Sequence, residues 1–88
     1  MSTNSVWVFH SEWRYPYDIG DIISVFRNKE DALARLRDEV QGIWDDLEVD
    51  GRLEDFEVYD NRDTGDFTIQ SDVRDIYASV SVEEYMVQ

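Results

Sequence analysis

The middle of the chain carries a repeating apolar pattern that is typical of an amphipathic helix. Its apolar side chains recur at spacings of three and four residues and therefore share one helix face. The residues in this stripe are Leu33, Leu36, Val40, Ile43 and Leu47. Asn28 is suited to cap the N-terminus, and Glu30 and Asp31 follow where the helix dipole favours anions. The pattern predicts a helix over residues 29–47 and a break in the region of Gly51.

Shorter apolar segments on both sides of this helix favour β-strands. Two precede it, over about residues 5–12 and 22–26, and segment 13–21 between them is interpreted as a loop because it contains Pro16 and Gly20. Three follow it, at residues 56–59, 67–70 and 76–82, with turn residues between them. The order ββαβββ predicts a single α+β domain over residues 1–88, in which an antiparallel sheet carries one amphipathic helix on one face.

The carboxylates are concentrated in one part of the chain. The net charge is −13, and residues 38–66 contain twelve acidic residues against only Arg52 and Arg62. Residues 1–37 contain five acidic and five basic residues and are neutral overall. Like charges at this density repel one another and destabilise the fold. We therefore expect a cationic protein partner, a metal ion or a salty solvent to compensate for them.

The composition argues against several classes of function. The chain has no cysteine, and its only histidine, His10, has no nucleophile on the same face of its strand, so we expect a structural His10 and no enzymatic activity. An acidic surface is repelled by nucleic acid and by anionic lipid. No apolar run reaches the ~20 residues that cross a bilayer, and the first residues lack a signal-peptide pattern. We therefore expect a cytoplasmic protein.

An acidic composition can also be an adaptation to a salt-rich cytoplasm. Lys29 is the only lysine beside seven arginines, and the chain contains 13 aspartates and 8 glutamates. Such an adaptation should spread carboxylates over the whole surface, whereas the first 37 residues are neutral. Salt adaptation stays open as a further alternative.

The segment after the helix resembles an EF-hand calcium loop. Residues 46–57 place acidic residues at alternate positions, Gly51 at the sharp turn and the apolar Leu53 two positions further on. The resemblance implies a calcium site with the ligands Asp46, Glu48, Asp50, Glu54 and Glu57. However, this loop leads into a predicted strand, whereas an EF-hand continues into a second helix. Calcium binding is the alternative hypothesis, and otherwise we expect no cofactor.

The end of the predicted helix breaks electrostatic rules that its beginning obeys. Arg35 is spaced to pair with Asp31 and Glu39, but after Arg37 no base follows until Arg52. Acidic residues therefore lie at the negative end of the helix dipole, where they are unfavourable. Because the rest of the helix places its charges favourably, this exception indicates a functional surface. The carboxylates expected to bind a partner are Asp38, Glu39, Asp45, Asp46, Glu48, Asp50, Glu54 and Asp55.

The small size, lack of catalytic groups and asymmetric charge resemble those of phage-borne DNA mimics, including anti-restriction and anti-CRISPR proteins. This resemblance implies an inhibitor whose carboxylates imitate phosphates and occlude a basic nucleic-acid-binding protein or ribonucleoprotein complex. It would act in the host cytoplasm if it is phage-encoded, as a monomer or weak homodimer, without binding nucleic acid or membranes itself. The stretch from Ile22 to Ala32, where a strand ending in Phe26 runs into a capped helix, also resembles small phage and bacterial domains of unknown function.

Aromatic residues supply a second candidate contact. Trp13, Tyr15 and Tyr17 alternate around Arg14 and Pro16 in the predicted loop. Trp, Tyr and Arg are enriched among the residues that dominate binding energy in protein interfaces. We expect these aromatic side chains to anchor a partner beside the acidic residues, with one or two of them packing on the core instead.

Overall fold

The structure is a computed structural model that describes residues 4–87. Five strands form its sheet: β1 (Asn4–Tyr15), β2 (Asp18–Phe26), β3 (Glu57–Asn61), β4 (Asp66–Ser71) and β5 (Ile76–Val87). Helix α1 spans Lys29–Asp46, and two short 3-10 turns, Val49–Gly51 and Leu53–Asp55, connect it to β3. The predicted order ββαβββ and the α+β class are confirmed.

The sheet is antiparallel throughout, with the strands in the order β2-β1-β5-β4-β3. The long strands β1 and β5 lie at its centre and pair from Asn4 opposite Val87 to Arg14 opposite Tyr77. Strands β2 and β3 form the two edges. The neutral first part of the chain therefore supplies one edge, and the acidic segment supplies the other.

One face of the sheet packs against α1 to form the core. The strands contribute Phe9, Phe67, Ile69, Ala78 and Val80, all fully buried. The predicted apolar stripe faces them, because Leu33, Leu36, Val40, Ile43 and Leu47 are all buried. Each large side chain buried in this way stabilises the fold by about 1.5–3 kcal/mol. Within residues 4–87, no helix is long and apolar enough to cross a membrane.

The beginning of α1 forms as its sequence predicts. The side-chain oxygen of Asn28 accepts a hydrogen bond from the backbone N–H of Asp31 at 2.9 Å. Asn28 itself has an extended backbone, as an N-cap residue requires. A turn of two residues after β2 is therefore enough to start the helix that covers the sheet.

The interpretation of segment 13–21 as a loop is wrong. Strand β1 continues to Tyr15 and β2 begins at Asp18, so only Pro16 and Tyr17 form the turn between them. Gly20 lies inside β2 directly opposite Trp13, and a Cβ atom at Gly20 would lie 2.5 Å from the indole. Gly20 is thus a strand residue that lacks a side chain because the Trp13 ring lies across its backbone, and it does not indicate a loop.

The helix ends before Gly51. Helix α1 stops at Asp46, and Glu48 then takes a left-handed backbone conformation with φ 53°. Gly51 has no positive φ and no atom near the position of an added Cβ. The residue that turns the chain is therefore a glutamate in a conformation that usually favours glycine or asparagine.

A second left-handed position lies in the hairpin between β3 and β4. Gly65 has φ 96°, and an added Cβ would lie 3.2 Å from the carbonyl oxygen of Val82. The Gly65 carbonyl also accepts a hydrogen bond from the Val82 N–H at 2.8 Å. This glycine therefore joins the hairpin to the central strand β5.

We predict that Gly65→Ala lowers the free energy of unfolding by about 1–3 kcal/mol, because a side chain is strained at this φ and meets the β5 backbone. Gly51→Ala is the matched control, since Gly51 is exposed and has nothing within 4 Å of its added Cβ. The control should change stability by less than about 0.5 kcal/mol. Urea denaturation followed by circular dichroism measures both, and equal effects would contradict the prediction.

Candidate protein-binding surface

The acidic residues of segment 38–66 are distributed over consecutive elements of the fold, from α1 to the β3–β4 hairpin. They lie on the C-terminal half of α1, on the two 3-10 turns, on β3 and on the hairpin that follows. We call the six exposed carboxylates among the predicted binding residues the acidic surface. These are Asp38, Asp45, Asp46, Glu48, Asp50 and Glu54.

Trp44 connects the elements that carry the acidic surface. Its indole N–H donates to a carboxylate oxygen of Asp50 at 2.8 Å, which joins the first 3-10 turn to the helix. The Arg62 guanidinium lies 6.0 Å from the centre of the Trp44 ring, so the β3–β4 hairpin contacts the same side chain. Trp44 packs half-buried against the core. The helix, turn and hairpin therefore form one connected surface.

The hairpin adds acidic residues that the sequence analysis did not select. Asp63 lies 3.9 Å from Arg37 of the helix and its side chain is 91% exposed. Asp60 is different, because Arg62 binds its carboxylate at 2.6 Å and holds the pKa of Asp60 below its usual value. The acidic turn sequence around Asp63 is the signal that could have identified it, since turn residues in a hairpin point into solvent.

Two of the predicted binding carboxylates have internal partners. Glu39 is half-buried, pairs with Arg35 at 2.9 Å and accepts a hydrogen bond from the buried Ser11 hydroxyl at 3.3 Å. Asp55 is likewise half-buried and pairs with Arg74 at 2.9 Å. Both carboxylates therefore connect the acidic segment to the rest of the fold, and neither belongs to the acidic surface as defined above.

The remaining carboxylates have few or weak partners. Glu48 pairs with Arg52 at 3.3 Å, and both side chains are exposed, so the pair contributes at most about 1 kcal/mol. Asp45 accepts a hydrogen bond from the Gln41 amide. Within residues 4–87, Asp38, Asp46 and Glu54 have no side-chain hydrogen bond or ion pair. The last turn of α1 contains no basic residue to balance its dipole.

The three predicted aromatic anchors do not share one environment. Trp13 and Tyr15 lie on the helix-covered face of β1 and pack half-buried against the core. Trp13 also donates to Asp18 at 2.9 Å across the turn. Tyr17 is 78% exposed at the tip of this turn, with its ring centre 5.6 Å from that of Tyr15. Of the three, Tyr17 is the one whose ring is available to a partner.

Tyr15 marks the place where the aromatic turn meets the acidic residues. Burial raises the pKa of Tyr15 to about 12, with further contributions from Tyr17, Asp46, Glu39 and Asp18. Asp46 therefore lies near enough to Tyr15 for its negative charge to oppose ionisation of the phenol. The C-terminal end of the acidic surface and the exposed Tyr17 are thus neighbours of the same residue.

The carboxylates of the EF-hand-like segment do not form a calcium loop in this structure. Asp50 is bound by Trp44, Glu48 pairs with Arg52, and Glu57 accepts a hydrogen bond from Gln70 at 2.7 Å. The segment continues into β3 without a second helix. In the part of the chain that the structure describes, no group of three or more His, Asp or Glu side chains is arranged to hold a metal ion. The geometry therefore does not fit the ligand set that the resemblance implies.

No family model, curated protein or solved structure matches this chain. Its function therefore has to be inferred from the geometry and charge of the described residues.

We predict that Tyr15 ionises about two pH units above an ordinary tyrosine. Because the folded state holds the proton more tightly, this effect stabilises the fold fully below pH 10 and is lost as the pH rises from 10 to about 12. Ultraviolet titration of phenolate absorbance should show a late component that Tyr15→Phe removes and Asp46→Asn moves to lower pH. A late component that persists unchanged in Tyr15→Phe would contradict the prediction.

Proposed function

We propose that this chain is a non-enzymatic inhibitor that uses its acidic surface to imitate the phosphates of nucleic acid. It would occlude a basic nucleic-acid-handling protein or ribonucleoprotein complex, as anti-restriction and anti-CRISPR proteins do. The observation that carries the proposal is the separation of charge within the fold. Exposed carboxylates with few cationic partners collect on the C-terminal half of α1 and on the 3-10 turns after it, whereas β1 and β2 come from a neutral part of the chain.

The arrangement of the helix supports this proposal. Asp38 and Asp45 are exposed and seven residues apart, so they lie on one face of α1 about 10.5 Å from each other along the axis. One strand of B-DNA presents a phosphate about every 3.4 Å along its axis, and proteins that bind it arrange lysine and arginine accordingly. A row of carboxylates on a rigid helix can engage the same cations. Binding would release counterions from both surfaces and would be fast, because opposite charges steer the encounter.

The acidic surface destabilises the folded domain, and this cost also supports the proposal. Anions in the last turn of a helix are unfavourable by about 0.3–1 kcal/mol each, and the mutual repulsion of the carboxylates adds to this. A cationic partner would remove both effects and so stabilise the folded domain. The internal pairs of Glu39 and Asp55 show that this chain can neutralise a carboxylate where the fold requires it.

Neither calcium binding nor salt adaptation is favoured by the distribution of exposed carboxylates. The EF-hand-like carboxylates have separate partners, as described above. Salt adaptation predicts carboxylates over the whole surface, yet the strands at the β2 edge belong to the neutral residues 1–37.

We predict that the triple variant Asp38→Lys, Asp46→Lys, Glu54→Lys loses partner binding and keeps its fold, since these side chains have no polar contact within residues 4–87. The matched control is Glu12→Lys, Asp72→Lys, Glu84→Lys. It changes the net charge equally at exposed positions outside the acidic surface. The tagged proteins are used to capture partners from bacterial lysate at low salt, followed by elution with increasing salt and with short duplex DNA.

Recovery of a nucleic-acid-binding protein by the wild type and the control, but not by the triple variant, is the expected result. Salt and DNA should both release it, because all three compete for the same cations. Equal loss in both variants would show that total charge matters and not this surface. Undiminished capture by the triple variant would refute the proposal.

We also predict that Asp46→Lys raises the free energy of unfolding by about 0.5–1 kcal/mol at low salt, because it places a cation at the negative end of α1. The gain should shrink with added KCl, which screens both the dipole and the carboxylates. Glu84→Lys is the control, with the same change of charge on β5. If Asp46→Lys is no more stable than this control, the carboxylate is not unfavourable at the end of the helix, and its energetic cost does not support the proposal.

A further inference from the structure

The two edges of the sheet differ in how they are protected against pairing with another strand. An edge strand presents unpaired N–H and C=O groups, and charged side chains usually prevent unwanted pairing there. Strand β3 is five residues long and contains Glu57 and Asp60. Strand β2 is nine residues long, and its two charged residues, Asp18 and Asp21, lie in its first half, with none between Ile22 and Phe26. The β2 edge is therefore the one that remains open to another strand.

Strand β2 also exposes apolar side chains on both faces. Ile19, Ile23 and Val25 are 73%, 62% and 63% exposed on the face away from α1, and Ile22 is 40% exposed on the other face. A single exposed apolar residue is ordinary, whereas four within one edge strand indicate an interface.

We infer that β2 pairs antiparallel with β2 of a second copy of this chain, about a two-fold axis at Ser24. Such an axis, perpendicular to the sheet, keeps α1 of both copies on one face of a continuous sheet. A residue of β2 then lies opposite a residue on the same face of the second copy. Ile22, Ser24 and Phe26 occupy the helix-covered face, and Asp21, Ile23 and Val25 occupy the open one.

This register matches every side chain near the axis with a suitable partner. Ile22 lies opposite Phe26 of the second copy, and Ile23 lies opposite Val25. Asp21 lies opposite Arg27, and this ion pair occurs twice because of the symmetry. Arg27 follows β2 directly, is exposed, and has no ion pair within residues 4–87. Cross-strand pairs of opposite charge and of apolar residues are the ones that stabilise a sheet.

Neighbouring registers lack this complementarity. An axis at Ile22 or Ile23 places the carboxylate of Asp21 opposite an isoleucine or a valine. An axis at Val25 places the guanidinium of Arg27 opposite Ile23. Charge complementarity therefore identifies a second copy of this chain as the partner of β2. It also identifies the register in which the two β2 strands pair.

Pairing at β2 also brings together the parts of the two copies that repel each other least. Four strand intervals separate β2 from β3. At about 4.8 Å each they amount to about 19 Å. Charges in solution are screened over about 8 Å at physiological salt, so the carboxylates on β3 and in the β3–β4 hairpin of the two copies would not oppose association. This inference does not depend on the proposed function, since the β2 edge and the acidic surface share no residue.

Sedimentation equilibrium over a wide concentration range tests the pairing. The wild type should pass from monomer to dimer, and Asp21→Arg or Arg27→Asp alone should each weaken the dimer about tenfold or more, since each makes two like-charge contacts. The double variant Asp21→Arg, Arg27→Asp should restore it. Glu83→Arg, on the same open face but on β5, should have no such effect. A wild type that stays monomeric, or a double variant as weak as the single ones, would overturn the inference.

A cross-link tests the register independently. The chain has no cysteine, and Ser24 is the residue of β2 that would face itself. Opposed Cα atoms in an antiparallel pair are about 4.5–5.5 Å apart, which suits a disulfide. Ser24→Cys should therefore form a covalent dimer under mild oxidation, whereas the exposed control Ile19→Cys should not. No cross-linked dimer of Ser24→Cys, as expected if β2 binds a strand of another protein, or equal cross-linking of both variants, would contradict the inference.

Discussion

A single helix covers one face of the sheet, and the rest of the structure depends on this constraint. The apolar stripe of α1 packs over the central strands, where Phe9, Phe67 and Val80 are fully buried. One helix about 27 Å long cannot cover both faces or both edges of five strands. The uncovered face of the sheet follows from this. So does the outer face of α1, which is free to carry carboxylates because no other element packs on it.

Burial separates two kinds of carboxylate in this domain. Glu39 and Asp55 are half-buried, and each pairs with an arginine at 2.9 Å, since an unpaired charge there would be strongly destabilising. Asp38, Asp46 and Glu54 are exposed, where water solvates a carboxylate without help from the protein. The first kind connects the helix and the turns to the sheet. The exposed carboxylates could be replaced by neutral side chains without loss to the fold. They are therefore the better candidates for binding a partner.

The sequence was sufficient for elements whose signal is local and periodic. The helix was predicted correctly because Leu36, Val40 and Ile43 repeat at the period of the element that buries them, and the order ββαβββ along the chain was also correct. The turn at Pro16 was placed in too long a loop, because Gly20 is explained only by the Trp13 ring that crosses it. The partners of Glu39 and Asp55 include Ser11 and Arg74, which are distant in sequence and could not be identified before the fold.

The distribution of charge connects the two proposals in physical terms. Nucleic-acid-binding proteins often present cationic grooves in symmetric pairs, and a two-fold inhibitor with one acidic surface at each end would contact both. Such a molecule needs an edge for self-association and a separate acidic surface for binding, because one surface cannot serve both purposes. The β2 edge contains none of the acidic-surface residues, which lie on α1 and on the 3-10 turns that lead to the opposite edge strand, β3. Bivalent binding would then increase the affinity of the second contact without any new residue at the interface, provided that the spacing between the grooves matches the length of the paired sheets.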